Sequence, residues 1–243
     1  MKLNTFATMS IKDIFPIEKW DFKRESILLG LPDEDLSLLM ENRVEQVYKK
    51  GEVIFKEGGL PGGIFYIVEG VVKKFKSNAR SREQIFYVAN SGALIGYHAV
   101  ITGERYPDTA ATLEDSLIAF IPREDFLKVL QQSSTFNYRL LRTLSHEFSV
   151  LVNGLNLVTQ RSVRERMALQ LILLREKYKV DFQPGMPVVI NMNREDLAGM
   201  VGTATENAIR ILSEFKEEGT LETKGSKILI HDVMKLMKIA DYQ

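Results

Sequence analysis

Cysteine is absent from this chain of 243 residues, and histidine is scarce, with three copies. The lack of cysteine excludes a disulfide framework, a thiolate zinc site, a cysteine-ligated iron–sulfur cluster and a cysteine nucleophile. A metalloenzyme site would need clustered histidines and carboxylates. The glycine-punctuated region from 44 to 122 contains only His98. We therefore expect no metal site, no catalytic residues and no enzyme.

Long apolar runs and an excess of one charge are also missing. The N-terminal stretch lacks the continuous apolar core of a signal peptide, and no apolar run approaches the length of a membrane span. The 32 Lys and Arg residues equal the 32 Asp and Glu residues in number, which argues against a protein that coats nucleic acid nonspecifically. We expect a cytoplasmic protein that is long enough for two compact domains.

The stretch from Asn193 to Gly219 predicts two short helices joined by a tight turn. Asn193 is a side-chain acceptor at the start of the first helix, and Gly202 allows that helix to end. Thr203 with Glu206 repeats the capping pattern, so a second helix is predicted at 204–216. Helical spacing predicts that its buried residues are Ala208, Ile211, Leu212 and Phe215.

The opposite face of this second helix is polar, which is typical of a helix-turn-helix that enters the DNA major groove. An ordinary helical hairpin is the alternative. The run after Gly219 predicts a small β-hairpin, which in this position resembles the wing of a winged helix-turn-helix. The candidate DNA-binding residues are Thr203, Thr205, Glu206, Asn207, Ile209, Arg210 and Ser213 near the helix, and Lys224 and Lys227 on the hairpin.

The remainder of the chain predicts a β-domain followed by helices. Short glycine-punctuated runs from 44 to 122 are typical of an antiparallel barrel or jelly roll. Residues 1 to about 42 are predicted to be helical in pieces, with one helix opening after Pro32. Further helices are predicted at 123–131 and 135–158, and an amphipathic helix with one apolar face is predicted from Val163. A loop with Pro184, Gly185 and Pro187 follows.

The helix predicted at 135–158 carries an apolar seam with alternating spacings of three and four. Such a seam indicates a partner helix, from a second copy of the chain or from the body of the same domain. Its place between two domains favours a homodimer. The seam residues are Leu141, Leu144, Phe148, Leu151, Leu155 and Val158.

Three stretches together resemble the Crp/Fnr family of bacterial transcription regulators. They are KKGEVIFKEGGLPGGIFYIVEGVVK, GALIGYHAVITGERYPDTAATLEDSLIAFIP and INMNREDLAGMVGTATENAIRILSEFKEEGTLETKGSKILI. The resemblance implies an α+β fold with an N-terminal cyclic-nucleotide-binding-like jelly roll, a long dimerisation helix and a C-terminal winged helix-turn-helix. The corresponding domains are 1–134, 135–160 and 161–243. It also implies a homodimer on double-stranded DNA with an inverted-repeat operator, and RNA polymerase as a further partner.

The family's base-reading positions fall on Thr205, Glu206 and Arg210 in this sequence. Glu206 and Arg210 keep the usual residue types, and they suit a cytosine amine and the guanine acceptors, respectively. Thr205 replaces an arginine of the cyclic-AMP receptors, so the resemblance implies a different target sequence. Ile209 could meet a thymine methyl group. Capping of its own helix is the alternative role for Glu206.

The effector segment departs further from the family pattern. Tyr97 stands where nucleotide-binding members place a glutamate, and Tyr106 followed by Pro107 stands where they place an arginine and a small hydroxyl residue. A buried phosphate without a guanidinium would lack its partner, so cyclic AMP is not the expected effector. The candidate pocket residues are Tyr66, Phe86, Gly96, Tyr97, His98, Arg105 and Tyr106.

Three alternatives stay open at this point. Haem could be ligated by His98 or His146, although a lone histidine is more often simply hydrogen-bonded. The roll could act without a ligand, as a module for dimerisation and polymerase contact. A cupin-like enzyme is the remote third reading, because the roll region lacks clustered ligands.

Overall fold

The computed structural model describes residues 15–20, 26–78, 83–178 and 188–240, and these fall into two compact units. The roll unit comprises residues 26–78 and 85–149. The C-terminal unit comprises residues 15–20 and 83–84 and the described part of 150–240. The loop expected at Pro184, Gly185 and Pro187 lies outside the described residues. The division at 134 and 160 stays a prediction.

Two antiparallel four-stranded sheets form the roll, with strand orders β1-β8-β3-β6 and β2-β7-β4-β5. This confirms the predicted antiparallel β-roll. Phe65 and Ile67 on β3 pack between the sheets, whereas Ile64 packs against flanking helices, which is the alternation that a strand requires. The strands are β1 (Val44–Tyr48), β2 (Val53–Phe55), β3 (Gly63–Glu69), β4 (Val71–Ser77), β5 (Glu83–Asn90), β6 (Leu94–Ile95), β7 (Thr109–Thr112) and β8 (Ser116–Pro122).

Helices cover the outer face of the first sheet. Phe126, Phe136 and Leu140 share a buried cluster there with Ile64 and Leu39. Acidic residues occupy the first turn of the first helix, where their negative charges interact favourably with the partial positive charge of the helix N-terminus. The helices are α1 (Asp33–Met40), α2 (Tyr97–Thr102), α3 (Arg123–Gln132) and α4 (Ser134–Gln160).

Helix α2 differs from the expectation of strands throughout 44–122. Gly96 and Gly103 adopt left-handed backbone conformations at its two ends, with φ of 80° and 72°. Because only glycine takes this conformation without steric cost, the two glycines delimit a single short helix inside the β-region.

The C-terminal unit contains a three-stranded antiparallel sheet of order β10-β11-β9, which contacts α5 and α7. Its elements are α5 (Val163–Lys177), β9 (Val189–Asn191), α6 (Arg194–Val201), α7 (Thr205–Glu217), β10 (Leu221–Lys224), β11 (Lys227–Ile230) and α8 (Val233–Ile239). These elements confirm the predicted winged helix-turn-helix fold. The prediction of a single apolar face on α5 is wrong, because every residue from Met167 to Arg175 except Gln170 is buried. Helix α5 contacts α6, α7, α8 and β9, so neighbours enclose it on most of its circumference.

Candidate DNA-binding surface and effector pocket

The turn between α6 and α7 has the geometry of a tight helix-turn-helix. The Asn193 side chain accepts a hydrogen bond from the Asp196 backbone N–H at 2.6 Å, as its position in the sequence predicts. At the other end of α6, Gly202 adopts φ of 70° and its N–H bonds back to the Ala198 carbonyl. The Thr203 N–H donates to the same carbonyl at 3.0 Å, which closes the helix end.

The predicted cap of the second helix is wrong. Helix α7 begins one residue later than expected, at Thr205, and the residue in the cap position is Ala204. The Thr203 hydroxyl instead accepts from the Asn207 side-chain amide at 2.8 Å. Among the described residues no side chain caps α7. Glu206 is exposed, and its carboxylate is therefore available for a role other than capping.

The two faces of α7 divide as the periodicity predicts. Ala208, Ile211, Leu212 and Phe215 are buried, whereas Glu206, Ile209, Arg210 and Ser213 are exposed. Thr205 and Asn207 are half-buried. The exposed row therefore presents a carboxylate, an apolar side chain and a guanidinium on one side of the helix.

Arg210 is bound on both sides by its own helix. Its Nη2 donates to Asn207 Oδ1 at 2.8 Å, and its Nη1 donates to the Glu214 carboxylate. The side chain is nevertheless 63% exposed, so its remaining N–H groups face solvent.

The hairpin tip is fixed to the start of α6. Arg194 donates to the Gly225 carbonyl at 2.8 Å, and the Ser226 hydroxyl donates to Asn191 Oδ1 at 2.7 Å. Burial lowers the pKa of Arg194 from its ordinary value. Lys224 and Lys227 pair across the tip and are exposed, as a wing that contacts phosphates requires.

Sequence reasoning missed Arg166, which holds the turn from α5. Its Nε donates to the Val201 carbonyl at 2.9 Å, and its Nη2 donates to the Gly202 carbonyl at 3.3 Å. These are the free carbonyls at the end of α6, where a cation is favoured. The sequence gives no signal of these bonds to Val201 and Gly202, because Arg166 lies on a separate helix that precedes the helix-turn-helix.

The roll does not gather the predicted pocket residues at one point. Tyr106 is buried, stacks on Phe55 with ring centroids 4.1 Å apart, and its hydroxyl donates to the Gly63 carbonyl at 3.3 Å. Burial raises the pKa of Tyr106 to about 12. Gly96 lies beside this pair, where an added Cβ would be 3.3 Å from the Tyr106 ring.

Tyr97 and His98 meet a residue that sequence reasoning missed, Glu147 of α4. The buried Glu147 carboxylate accepts from the Tyr97 hydroxyl at 2.8 Å and from the Tyr87 hydroxyl at 3.1 Å. His98 stacks on Tyr97, and its Nε2 lies 3.4 Å from the same carboxylate. Burial and the Glu147 charge raise the pKa of Tyr97 well above its ordinary value. Two roll hydroxyls therefore satisfy both oxygens of a carboxylate on the long helix.

The roll interior also contains a buried ion pair. Lys74 Nζ lies 3.0 Å from Asp108 Oδ2, and both side chains are more than nine-tenths buried. The ammonium lies 5.9 Å from the Phe86 ring centroid and 5.5 Å from the Tyr87 ring centroid. Asp108 Oδ1 is buried and has no hydrogen-bond partner among the residues that the structure describes. Lys74 lies two residues after the buried Val72 on β4, so the alternation of a strand places both side chains on the same inward face. This alternation is the sequence signal that could have identified Lys74.

Arg105 and Tyr66 lie elsewhere. Arg105 is exposed and donates to the Gly58 carbonyl at 2.8 Å. Tyr66 bonds the Ser26 hydroxyl at 3.3 Å, in a cavity of about 790 Å³ on the helix-covered side of the first sheet. The expectation that cyclic AMP is not the effector stays a prediction.

The seam of α4 is mostly solvent-exposed in the single chain. Leu141, Phe148, Leu151, Leu155 and Val158 are exposed, whereas Leu144 packs partly against the core of the roll unit. Exposed apolar side chains repeated along one helix face mark an interaction surface. The opposite face of the first half of α4 includes Phe136, Leu140 and Glu147, which are buried.

Two features are not found in the part of the chain that the structure describes: a cluster of metal ligands and a membrane-spanning helix. It contains no group of three or more His, Cys, Asp or Glu side chains placed to hold a metal ion. None of its helices combines the length and apolarity needed to cross a membrane. Haem ligation by His98 or His146 stays a prediction.

Comparisons with known proteins match both units. Residues 45–133 match the family model of the cyclic nucleotide-binding domain, and residues 165–239 match that of the Crp-like helix-turn-helix domain. The chain is 26% identical to the transcriptional activator protein Anr of Pseudomonas aeruginosa, over 88% of each chain. It is 23% identical to the cyclic AMP receptor protein of Thermus thermophilus, over 90% of this chain and 98% of that one. The fold matches the structure of FixK2 from Bradyrhizobium japonicum with a TM-score of 0.72 and 20% identity, over 83% of this chain and 98% of that one.

Proposed function

The chain belongs to the Crp/Fnr family of transcription regulators, and from this premise we propose that it is a homodimeric, sequence-specific DNA-binding regulator. The observation that carries the proposal is the division of α7, which buries one face and exposes Glu206, Ile209 and Arg210 on the other. A guanidinium can fork to guanine O6 and N7, and a carboxylate can accept from a cytosine amine, each contributing about 1–3 kcal/mol of discrimination. Anr, named above, is a transcriptional activator protein, which favours this role over an enzyme.

The exposed seam of α4 supports the homodimer. Its exposed leucines and Phe148 would remain in water unless a second helix covered them. Pairing two copies along this seam gives a two-fold axis, so the DNA site is an inverted repeat. The two α7 helices would then enter major grooves about 34 Å apart on one side of the duplex.

Selection from a pool of random duplexes tests the proposal. We expect the protein to enrich an inverted repeat and to lose roughly 5- to 150-fold in affinity for it on Arg210→Ala, the range of one good base contact. Lys238→Ala is the matched control, because it removes one positive charge from the exposed side of α8. The proposal fails if no sequence is enriched, or if both variants weaken binding equally.

The role of the roll is a separate part of the proposal. A ligand-gated regulator and a ligand-independent regulator, in which the roll serves dimerisation and RNA polymerase contact, both fit the fold. The Glu147 carboxylate favours the second, because the chain's own side chain already uses the hydroxyls of Tyr87 and Tyr97. The outward position of Arg105 argues against cyclic AMP for either form, because a bound phosphate would lack its guanidinium partner.

Refolded protein distinguishes these two forms. Unfolding the chain in urea and refolding it after dialysis removes any small molecule retained from the cell. A ligand-independent regulator would bind its enriched duplex equally well before and after this treatment. A loss of DNA affinity that cell extract restores would establish a ligand, since the coupling between the two binding sites is reciprocal.

A further inference from the structure

Helix α7 carries one carboxylate that binds guanidinium groups from two helices. Arg164 of α5 donates from Nη1 to Glu214 Oε2 at 2.9 Å, and Arg210 of α7 donates to Glu214 Oε1. Each carboxylate oxygen therefore has its own arginine. Glu214 thus connects α5 to the guanidinium that the proposed function assigns to base reading.

Arg164 is held against the core of the C-terminal unit. Its guanidinium centre lies 4.6 Å from the centroid of the fully buried Phe215 ring. Its Nη2 also donates to Glu218 at 2.6 Å. These contacts fix a side chain that is 34% exposed. Because Arg164 is fixed in this way, Glu214 is a partner with a defined position and not a free surface carboxylate.

Arg210 is therefore held from both directions along its helix. Asn207, one turn earlier, binds Nη2 at 2.8 Å, and Glu214, one turn later, binds Nη1. A guanidinium carries five N–H groups, so these two bonds leave three donors for a base pair. An arginine without such partners would lose more conformational freedom when it meets DNA.

We propose that Glu214 is a positioning residue for DNA reading, which orients Arg210 through its contact with the anchored Arg164. This proposal rests on the DNA-reading function proposed for α7. The Glu214 charge has a second consequence, because a carboxylate near the duplex repels phosphates and weakens binding to any sequence. Glu214 therefore lowers overall affinity while it raises discrimination at the base pair that Arg210 contacts.

The test uses the duplex that the full-length protein enriches from random sequences. The base pair read by Arg210 is the one whose substitution weakens binding of the unchanged protein but not of Arg210→Ala. At this base pair we expect Glu214→Ala to reduce discrimination roughly two- to tenfold, since the side chain must now be ordered during binding. Discrimination at the other base pairs should not change, and binding to an unrelated duplex should be equal or tighter.

Two further variants separate positioning from a general effect. Glu217→Ala is the matched control, because it removes an exposed carboxylate from the same helix. In the hydrogen bonds that the described residues make, Glu217 contacts neither Arg164 nor Arg210. It should leave discrimination at the Arg210 base pair unchanged. Glu214→Gln retains an acceptor oxygen, so it should recover part of the discrimination that Glu214→Ala loses.

The possible results separate this proposal from the function on which it rests. Glu214 is not a positioning residue if Glu214→Ala discriminates as the unchanged protein does, or if it weakens binding to all duplexes equally. If the unchanged protein enriches no duplex, or Arg210→Ala reads every base pair as before, the DNA-reading function of α7 fails and the role of Glu214 fails with it.

Discussion

The contact between Tyr97 and Glu147 gives the sharpest stability prediction for the roll unit. The Tyr97 hydroxyl, on a residue that is 1% exposed, donates at 2.8 Å to the buried carboxylate. A hydrogen bond to a charged group contributes about 1.5–3 kcal/mol, whereas one between neutral groups contributes about 0.5–1.5 kcal/mol. We expect Tyr97→Phe to cost the larger amount in the natural protein and the smaller amount in Glu147→Gln protein.

The difference between these two costs is a coupling free energy of about 1–1.5 kcal/mol. The effect of Glu147→Gln alone is not diagnostic, because the lost charge-assisted bonds are offset by a smaller cost of burying a neutral group. The cycle of two single variants and the double variant removes that contribution. His98 contributes little to the expected value, since its side chain is 38% exposed and its contact is 3.4 Å.

Scanning calorimetry of the four proteins measures the coupling, because it resolves separate transitions of the two units if they unfold independently. If the units unfold together, 1 kcal/mol corresponds to a shift of about 2–4 °C in Tm, and the shift is larger if the roll unit unfolds by itself. Tyr106→Phe is the matched control, since the Tyr106 hydroxyl is also buried but donates to the neutral Gly63 carbonyl. Its cost should be the same in the natural protein and in Glu147→Gln protein. If Tyr97→Phe also costs the same in both backgrounds, within about 0.5 kcal/mol, the Tyr97 hydroxyl does not bind a charged Glu147.

Three other predictions concern association, alkaline stability and the turn. Leu155→Glu places a charge in the exposed seam, so sedimentation should report monomers, whereas Asn156→Glu, one position off the seam, should leave the dimer intact. Burial raises the pKa of Tyr106 to about 12, above its ordinary value near 10. The stabilisation of the folded state by the protonated Tyr106 hydroxyl should therefore be complete below pH 10 and be lost as the pH rises through about 12. Tyr106→Phe should reduce this loss of unfolding free energy, which urea unfolding at each pH measures. Gly202→Val forces a branched residue into φ of 70° and should cost about 1–2 kcal/mol in unfolding free energy, whereas Gly202→Asn should cost less, because asparagine adopts this left-handed conformation more readily.

The helix pair of the DNA-binding surface was predictable because its determinants are local in sequence. Asn193 caps a helix three residues before Asp196, and Gly202 ends that helix in the conformation that glycine allows. The 3.6-residue period then separates the buried Phe215 from the exposed Arg210. The incorrect prediction of a cap at Thr203 also has a local cause, because the Thr203 hydroxyl accepts from the Asn207 side chain and not from a backbone N–H.

The sequence determined by itself the helix end at Gly202, the apolar faces of α4 and α7, and the exposed polar row of α7, since these depend on neighbours within a few residues. Only the tertiary structure decided which polar groups meet inside the roll and across the C-terminal helices. Glu147 lies 50 residues from Tyr97 and 60 from Tyr87, and Arg164 lies 50 from Glu214. A buried carboxylate is stable only where donors converge on it, and the sheet and helix packing that brings those donors together has no signature at any single position of the chain.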